Sequence, residues 1–411
     1  MLDGQEYPDI AAPSGPPPAS APAPAGLNGR HRLNGNGTGN GNGNGAGTAT
    51  GPETRAETRT QTPSQAPTQA PTGTGTHDAA REGLEDWLDF RYGDPLAEQH
   101  RWALLPPGKL LRPVLLLESA AAVGGSPEQV APVATGFELM HAGSLIHDDI
   151  IDGDELRRGR AATHCRYGVD RAVVGADALF FAVFETLGEC RLRGVSDRRI
   201  TEATAVIAGA GLDITRGATL ELDLSGTSPD DTETYLEVAR LKTAALLRAA
   251  CRTGAVLAGG SAEQTAALTE FGEALGIAFQ IQDDLLPYAR PPRAQATPTE
   301  SAPTRIAGKP RTSDLRNRRP VLPLVLARRD GSDADRALLA ELLDGGAADE
   351  ESRHERLHRL LDSTGALKAA QHTADTYLER CRSALAVLPP SPHRRRLASL
   401  ADRCASRGDG R

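Results

Sequence analysis

Apolar residues recur at helical spacing through four long stretches of this chain: Val130 to Leu145, Ala172 to Leu192, Tyr235 to Ala258 and Ala266 to Leu286. Each is too long for a strand, and each is bounded or interrupted by glycine or proline. The period-two alternation that marks half-buried strands is nearly absent. The pattern predicts an all-α body over residues 78–411. Within that body a single stretch has linker composition. Tyr288 to Ala307 replaces periodicity with Pro, Thr and Arg and is expected to be a mobile loop between two helices, residues 288–307. Pro287 just before it lacks an N–H and clashes with the carbonyl four residues back, which predicts a helix end at about Leu286.

Residues 1–77 read differently. They are dominated by Pro, Gly, Asn, Thr and Ala, with Tyr7 as their aromatic residue, and bury too little apolar surface to offset their ordering entropy, so a disordered tail is expected. Pro13 to Pro24 should be stiff and extended, Gly35 to Gly47 a flexible coil. The apolar islands are Leu2, Tyr7, Ile10 and the doubled Leu-Asn-Gly in GLNGRHRLNG. Two readings stay open, a passive solubilising tail and a docking peptide captured by a partner.

Charge and composition narrow the function classes. A formal net charge of -8 opposes a sequence-independent nucleic-acid binder, which needs a basic field to release counterions. No run of 18 apolar residues suggests a membrane span, and Met1 to Ile10 shows no secretory pattern. The five cysteines lack ligand spacing and read as reduced thiols of a cytoplasmic protein. Of the 46 basic residues only Lys109, Lys242, Lys309 and Lys368 are lysines, so their placement is informative.

Carboxylates gather at two places. HAGSLIHDDIIDGDELRRGR ends an apolar helical run with Asp148, Asp149 and Asp152, and positions 148 and 152 share a helical face one turn apart. Carboxylates so placed repel unless a cation lies between them, and oxygen-seeking Mg2+ suits that place. A solvated acidic helix end is the alternative, weakened by the apolar lead-in from Gly143 to Ile146. FQIQDDLLPY repeats the theme with Gln280, Asp283 and Asp284 on one face. Cations flank both clusters: Lys109 and Arg112, three apart and so expected on one helical face, then Arg157, Arg158, Lys242 beside Thr243, and Lys309. Each alone reads as a surface charge. Together they suit two diphosphates, one held through metal and one by bare cations.

GKLLRP, LMHAGSLIHDDIIDGDELRRGRAATH, LKTAALL, FQIQDDLL and GKPRTSDLRNRRPVLP, in this order, resemble the motifs of trans-isoprenyl diphosphate synthases, the polyprenyl synthetases. The resemblance spans nearly all of residues 78–400. It implies an all-α bundle around a central cavity, usually a homodimer, that condenses isopentenyl diphosphate with an allylic diphosphate using Mg2+. It further implies that Asp148, Asp149, Asp152, Asp283 and Asp284 hold the metal ions. Arg157, Lys242, Thr243, Gln280 and Lys309 would contact the allylic diphosphate. Lys109, Arg112, His141 and Arg158 would bind isopentenyl diphosphate. His147 has no assigned role, a core-facing histidine being the commoner case.

Departures from the family pattern are Pro287 at the position of a third acid, Arg319 where lysine is frequent, Ala161 where proline is usual, and the long 288–307 loop. Small residues at Ala142, Gly143 and Ser144 imply a product of farnesyl length or longer, geranylgeranyl favoured, unless Phe180, Phe181 or Phe184 supplies a floor. A noncatalytic partner subunit and a terpene cyclase are the alternatives, the second having no use for Lys109, Arg112 and Arg158. The tail is similar in composition to extensions on synthases packaged in encapsulin shells. That likeness would make it a loading element for a shell or scaffold protein, and the compartment a protein shell.

Overall fold

In the computed structural model the described residues are 75–91, 93–225, 230–289, 319–344 and 350–405, with backbone only at 305–306 and 309–310. They belong to a compact unit spanning Thr68–Arg411. The expectations for the tail up to residue 74, for most of the 288–307 loop and for the Lys309 side chain lie outside the described residues.

The body is helical from its first described residue. Helix α1 (Gly75–Phe90) starts slightly ahead of the expected boundary, followed by α2 (Ala97–Leu104), α3 (Leu111–Ala122) and α4 (Pro127–Asp152). A two-residue antiparallel ribbon, β1 (Leu156–Arg157) and β2 (Arg160–Ala161), pairs Leu156 with Ala161 and Arg157 with Arg160. Then come α5 (Thr163–Tyr167), α6 (Val169–Leu192), α7 (Asp197–Leu224) and α8 (Thr232–Val238). A π-helical segment, Ala239–Ala244, joins α8 to α9 (Ala245–Ala258) without a break. Helix α10 (Ala262–Leu285) ends in a 3-10 turn, Leu286–Tyr288, that contains Pro287, as its missing N–H requires. A second ribbon, β3 (Arg305–Ile306) with β4 (Lys309–Pro310), precedes α11 (Leu322–Asp330), α12 (Asp333–Leu343), α13 (Glu350–Ser363), α14 (Ala366–Leu385) and α15 (Pro392–Ala405).

Local chemistry explains several boundaries. Ser261 and Gln264 form a reciprocal capping box at the start of α10, and Asp231 accepts the Glu233 and Thr234 N–H groups at the start of α8. The long helices bury Ala- and Leu-rich faces. Helix α4 packs between α3 and α6, and α10 between α9 and α14. Val133, Phe137 and Leu139 of α4 and Phe271 of α10 are fully buried. Alanine and glycine on these faces let backbones approach closely, so dispersion contacts replace the aromatic bulk the composition lacks. All five cysteines remain thiols, and burial pushes Cys190 up to about 11 and Cys251 up to about 12. Among the described residues no helix is long and apolar enough to cross a membrane.

Candidate active site

The first carboxylate cluster lies on the last turns of α4, which stays helical through Asp152 and closes on Gly153 in the left-handed region (φ 64°). Asp148 and Asp152 therefore do share a face, one turn apart. Asp149 turns inward and is buried, and Arg157 of β1 forks onto it, with Nε 2.9 Å and 3.2 Å from its two oxygens. Asp148 faces Lys242 Nζ at 3.4 Å, and Asp152 pairs with Arg319. Arg319 thus takes the place where the motif comparison expected lysine.

The second half of the site comes from the π-helical segment and α10. Lys242 donates to Glu221 of α7 as well as facing Asp148. Burial opposes its charge, but the two carboxylates outweigh that and hold the ammonium above the ordinary lysine range. Thr243 Oγ1 donates to Gln280 Oε1 at 2.6 Å, and Gln280 Nε2 donates to Asp284 Oδ1 at 2.8 Å. Asp284 is buried and also accepts the Tyr235 hydroxyl at 2.6 Å and the Leu322 N–H at 3.2 Å. Asp283 beside it is half-buried.

Two glycines make this junction possible. A Cβ on Gly217 would lie 2.6 Å from Lys242 N, and one on Gly276 would lie 2.4 Å from Ala244 Cα. One turn beyond each glycine stands the residue that bonds the segment, Glu221 and Gln280 respectively. The π turn re-aims Lys242 and Thr243 between α7 and α10, a use such turns often have at functional sites.

The bare cations gather nearer the start of α4, around Glu138 and His141. Lys109 and Arg112 are not on one helical face, as their spacing suggested. Pro106, Pro107 and Gly108 hold Lys109 in a loop, Leu110 takes the left-handed region (φ 49°), and α3 starts only at Leu111. Lys109 is exposed, at the rim of a cavity of about 670 Å3 that Leu275, Phe279 and Arg396 also line. Burial brings the Arg112 guanidinium down to about 10, with Glu138 opposing the shift, and among the described residues its buried Nε–H has no acceptor. Burial, then the charges of Arg112, Arg158 and Arg157, hold His141 well below the ordinary histidine range. His141 is therefore a neutral donor or acceptor among arginines, and Glu138 is raised by burial against the pull of Arg112 and Arg158.

Of the three phenylalanines considered as a floor, only Phe180 packs inward. A Cβ on Gly143 would stand 3.4 Å from the Phe180 ring, and that ring stacks obliquely on His147 with centroids 5.4 Å apart. Phe181 is 72% exposed and Phe184 39%, because α6 turns them to its outer face.

The donor set suits Mg2+. Among the described residues no three His, Cys, Asp or Glu side chains converge on a common point, and an ion that binds through one or two carboxylates plus substrate phosphates needs no such cage. The available donors of both clusters are carboxylate oxygens, those of the first cluster faced by Lys242, Arg157 and Arg319. Sequence reasoning missed Glu221, Glu138 and Tyr235. All three lie outside the aspartate motifs, and their roles arise from contacts 21 to 49 positions away along the chain or from burial alone.

Residues 94–361 match the family model for polyprenyl synthetase. A short chain isoprenyl diphosphate synthase of Methanothermobacter thermautotrophicus is 36% identical over 295 residues, 72% of this chain and 85% of the relative. The crystal structure of a geranylgeranyl pyrophosphate synthetase from Pyrococcus horikoshii superposes with a TM-score of 0.71 at 28% identity, covering 80% of this chain and 95% of that one. A polyprenyl synthase from Caulobacter crescentus, solved with calcium and isoprenyl diphosphate, superposes with a TM-score of 0.68 at 30% identity, covering 80% and 95%.

Proposed function

Because the chain belongs to the polyprenyl synthetase family, we propose that it lengthens an allylic diphosphate by head-to-tail condensation with isopentenyl diphosphate, as a prenyltransferase. The observation that carries this reading is the pairing of two carboxylate clusters, the first faced by Lys242, Arg157 and Arg319, with a separate group of arginines around a neutral histidine. One half suits a metal-bridged diphosphate, the other a diphosphate held by cations alone.

Asp148, Asp152 and Asp283 would hold Mg2+, which when bound supplies Lewis-acid stabilisation of the departing pyrophosphate. Asp149 and Asp284 are buried and gripped by Arg157 and by Tyr235, so they shape the site instead of reaching into it. Lys242, Thr243 and Gln280 would contact the allylic diphosphate, a role the motif resemblance also implies for Lys309. As the allylic C–O bond ionises, Lys242 stabilises charge developing on the leaving group. Lys109, Arg112, Arg158 and His141 orient isopentenyl diphosphate so that its double bond attacks the carbocation, and the tertiary cation so formed loses a proton to the departed pyrophosphate. Packed alanine, leucine and phenylalanine side chains exclude water that would quench the cation.

Exposed Val174, Phe181 and Phe184 on α6 support a homodimer, since a soluble monomer seldom leaves such a row in water. Small residues at 142–144 support a product of farnesyl length or longer, geranylgeranyl favoured, with the inward-packed Phe180 as the candidate floor. For residues 1–77 a passive solubilising tail and a segment captured by a shell or scaffold protein both stay open. Incubation with Mg2+, isopentenyl diphosphate and farnesyl diphosphate tests the reaction: a C20 or longer diphosphate is expected. No turnover with any allylic starter would leave the noncatalytic subunit as the better reading.

A further inference from the structure

The ribbon β1–β2 carries Arg157 and Arg158, and what holds it in place is a tryptophan. The indole Nε1–H of Trp102, at the end of α2, donates to Ala161 O at 3.1 Å. The Arg160 guanidinium lies over the same indole, Cζ 3.6 Å from the ring centroid, and Arg166 covers it from α5 at 3.8 Å. Arg160 also donates to Leu105 O, and Arg158 Nη1 donates to Pro106 O at 3.0 Å. The Arg158 fork rests on Gly108 so closely that a Cβ there would lie 2.7 Å from its Nη2.

These contacts join two segments that are 52 to 59 positions apart in sequence. One is the loop that presents Lys109; the other is the ribbon that presents Arg158. Trp102 and Arg160 line the same small cavity as Glu138, Arg157 and Arg158. Two guanidiniums stacked on one half-buried indole, together with the bond from its Nε1–H, tie the ribbon to the end of α2.

We infer that Trp102 and Arg160 are positioning residues for isopentenyl diphosphate: they clamp the Lys109 loop to the Arg158 ribbon so that the two cations converge on one diphosphate. The inference rests on the proposed condensation. Neither residue touches substrate. Losing either lets the ribbon and the loop drift apart, while Lys242, Thr243 and Gln280, on other elements, stay in place.

The test uses the full chain and Trp102→Ala, Trp102→Phe, Arg160→Ala and Arg160→Lys. Isopentenyl diphosphate binding is measured by calorimetry and steady-state constants are measured for both substrates, with circular dichroism confirming the fold. Trp102→Ala and Arg160→Ala should weaken isopentenyl diphosphate binding and raise its KM about tenfold or more, the scale of a lost charge-assisted contact. The allylic KM should stay within about twofold, and Trp102→Phe and Arg160→Lys should recover most of the loss by restoring a ring or a cation. If Arg160→Ala leaves the isopentenyl diphosphate Kd unchanged in an enzyme that turns over, or moves both KM values together, the clamp is wrong and the reaction stands. If the wild type neither binds nor condenses isopentenyl diphosphate, the proposed function fails and takes the clamp with it.

Discussion

The phenol of Tyr235 donates to Asp284 Oδ2 at 2.6 Å, and this bond divides the second aspartate pair into two roles. Asp284 is buried and serves the framework, linking α8, α10 and the start of α11; Asp283 is left at the surface of the site.

Tyr235→Phe should therefore act on stability more than on chemistry. It leaves a buried carboxylate one donor short, at a cost of about 1–3 kcal/mol. Thermal melts should show that loss while kcat stays within about tenfold of wild type. Asp283→Ala should do the reverse, lowering kcat by about 10²-fold or more with little change in melting, because it removes stabilisation of the leaving group. A reversed ranking of the two variants would contradict this division.

Lys109→Ala should raise the isopentenyl diphosphate KM by about tenfold or more, since one charge-assisted contact is worth about 1.5–3 kcal/mol. Lys368→Ala, on the exposed face of α14, should leave both KM values unchanged. Steady-state kinetics on the two purified variants decides the matter.

His141 should make stability depend on pH. Its folded pKa lies well below that of the unfolded chain, so the folded state favours the neutral ring. The associated stability is complete above the unfolded value, near 6.5, and falls as pH drops toward the folded value, with a limiting slope of about 1.4 kcal/mol per pH unit. His141→Gln should flatten the decline measured by denaturant titration between pH 7 and pH 5. His100, buried in a different place and also lowered, keeps its own contribution in that variant. Identical slopes for the variant and the wild type would refute the assignment.

Product length should respond to Phe180 and not to its neighbours. The ring occupies space that a side chain at Gly143 would claim, so Phe180→Ala should lengthen the product by one or more C5 units. Phe181→Ala should leave the length unchanged, because that ring faces outward. Chromatography of the dephosphorylated products from each variant distinguishes these outcomes.

The long apolar periodicities at 130–145, 172–192, 235–258 and 266–286 fall within α4, α6, the α8–α9 run and α10. Periodicity is local, and a helix buries whichever face is apolar, so the all-α class and the element positions were readable from order alone. The pairing of Asp148 with Asp152 was readable for the same reason. Two local inferences failed or fell short. The spacing of Lys109 and Arg112 predicts one helical face because spacing carries no record of the left-handed turn at Leu110. The π turn at Ala239–Ala244 was not foreseen because the approach of Gly217 and Gly276 favours it, and both lie on other helices.

By itself, then, the sequence determined the helices, the identity of the two aspartate clusters and the supply of cations, all of which depend on residue type and spacing within one segment. Tertiary structure decided which of those charges meet. It set Lys242 between Asp148 and Glu221, buried Asp149 under Arg157 and Asp284 under Tyr235, and joined the Lys109 loop to the Arg158 ribbon through Trp102. Burial and electrostatic pairing depend on distances across the fold, and a charge has no fixed role until packing settles what it faces and how much water it keeps.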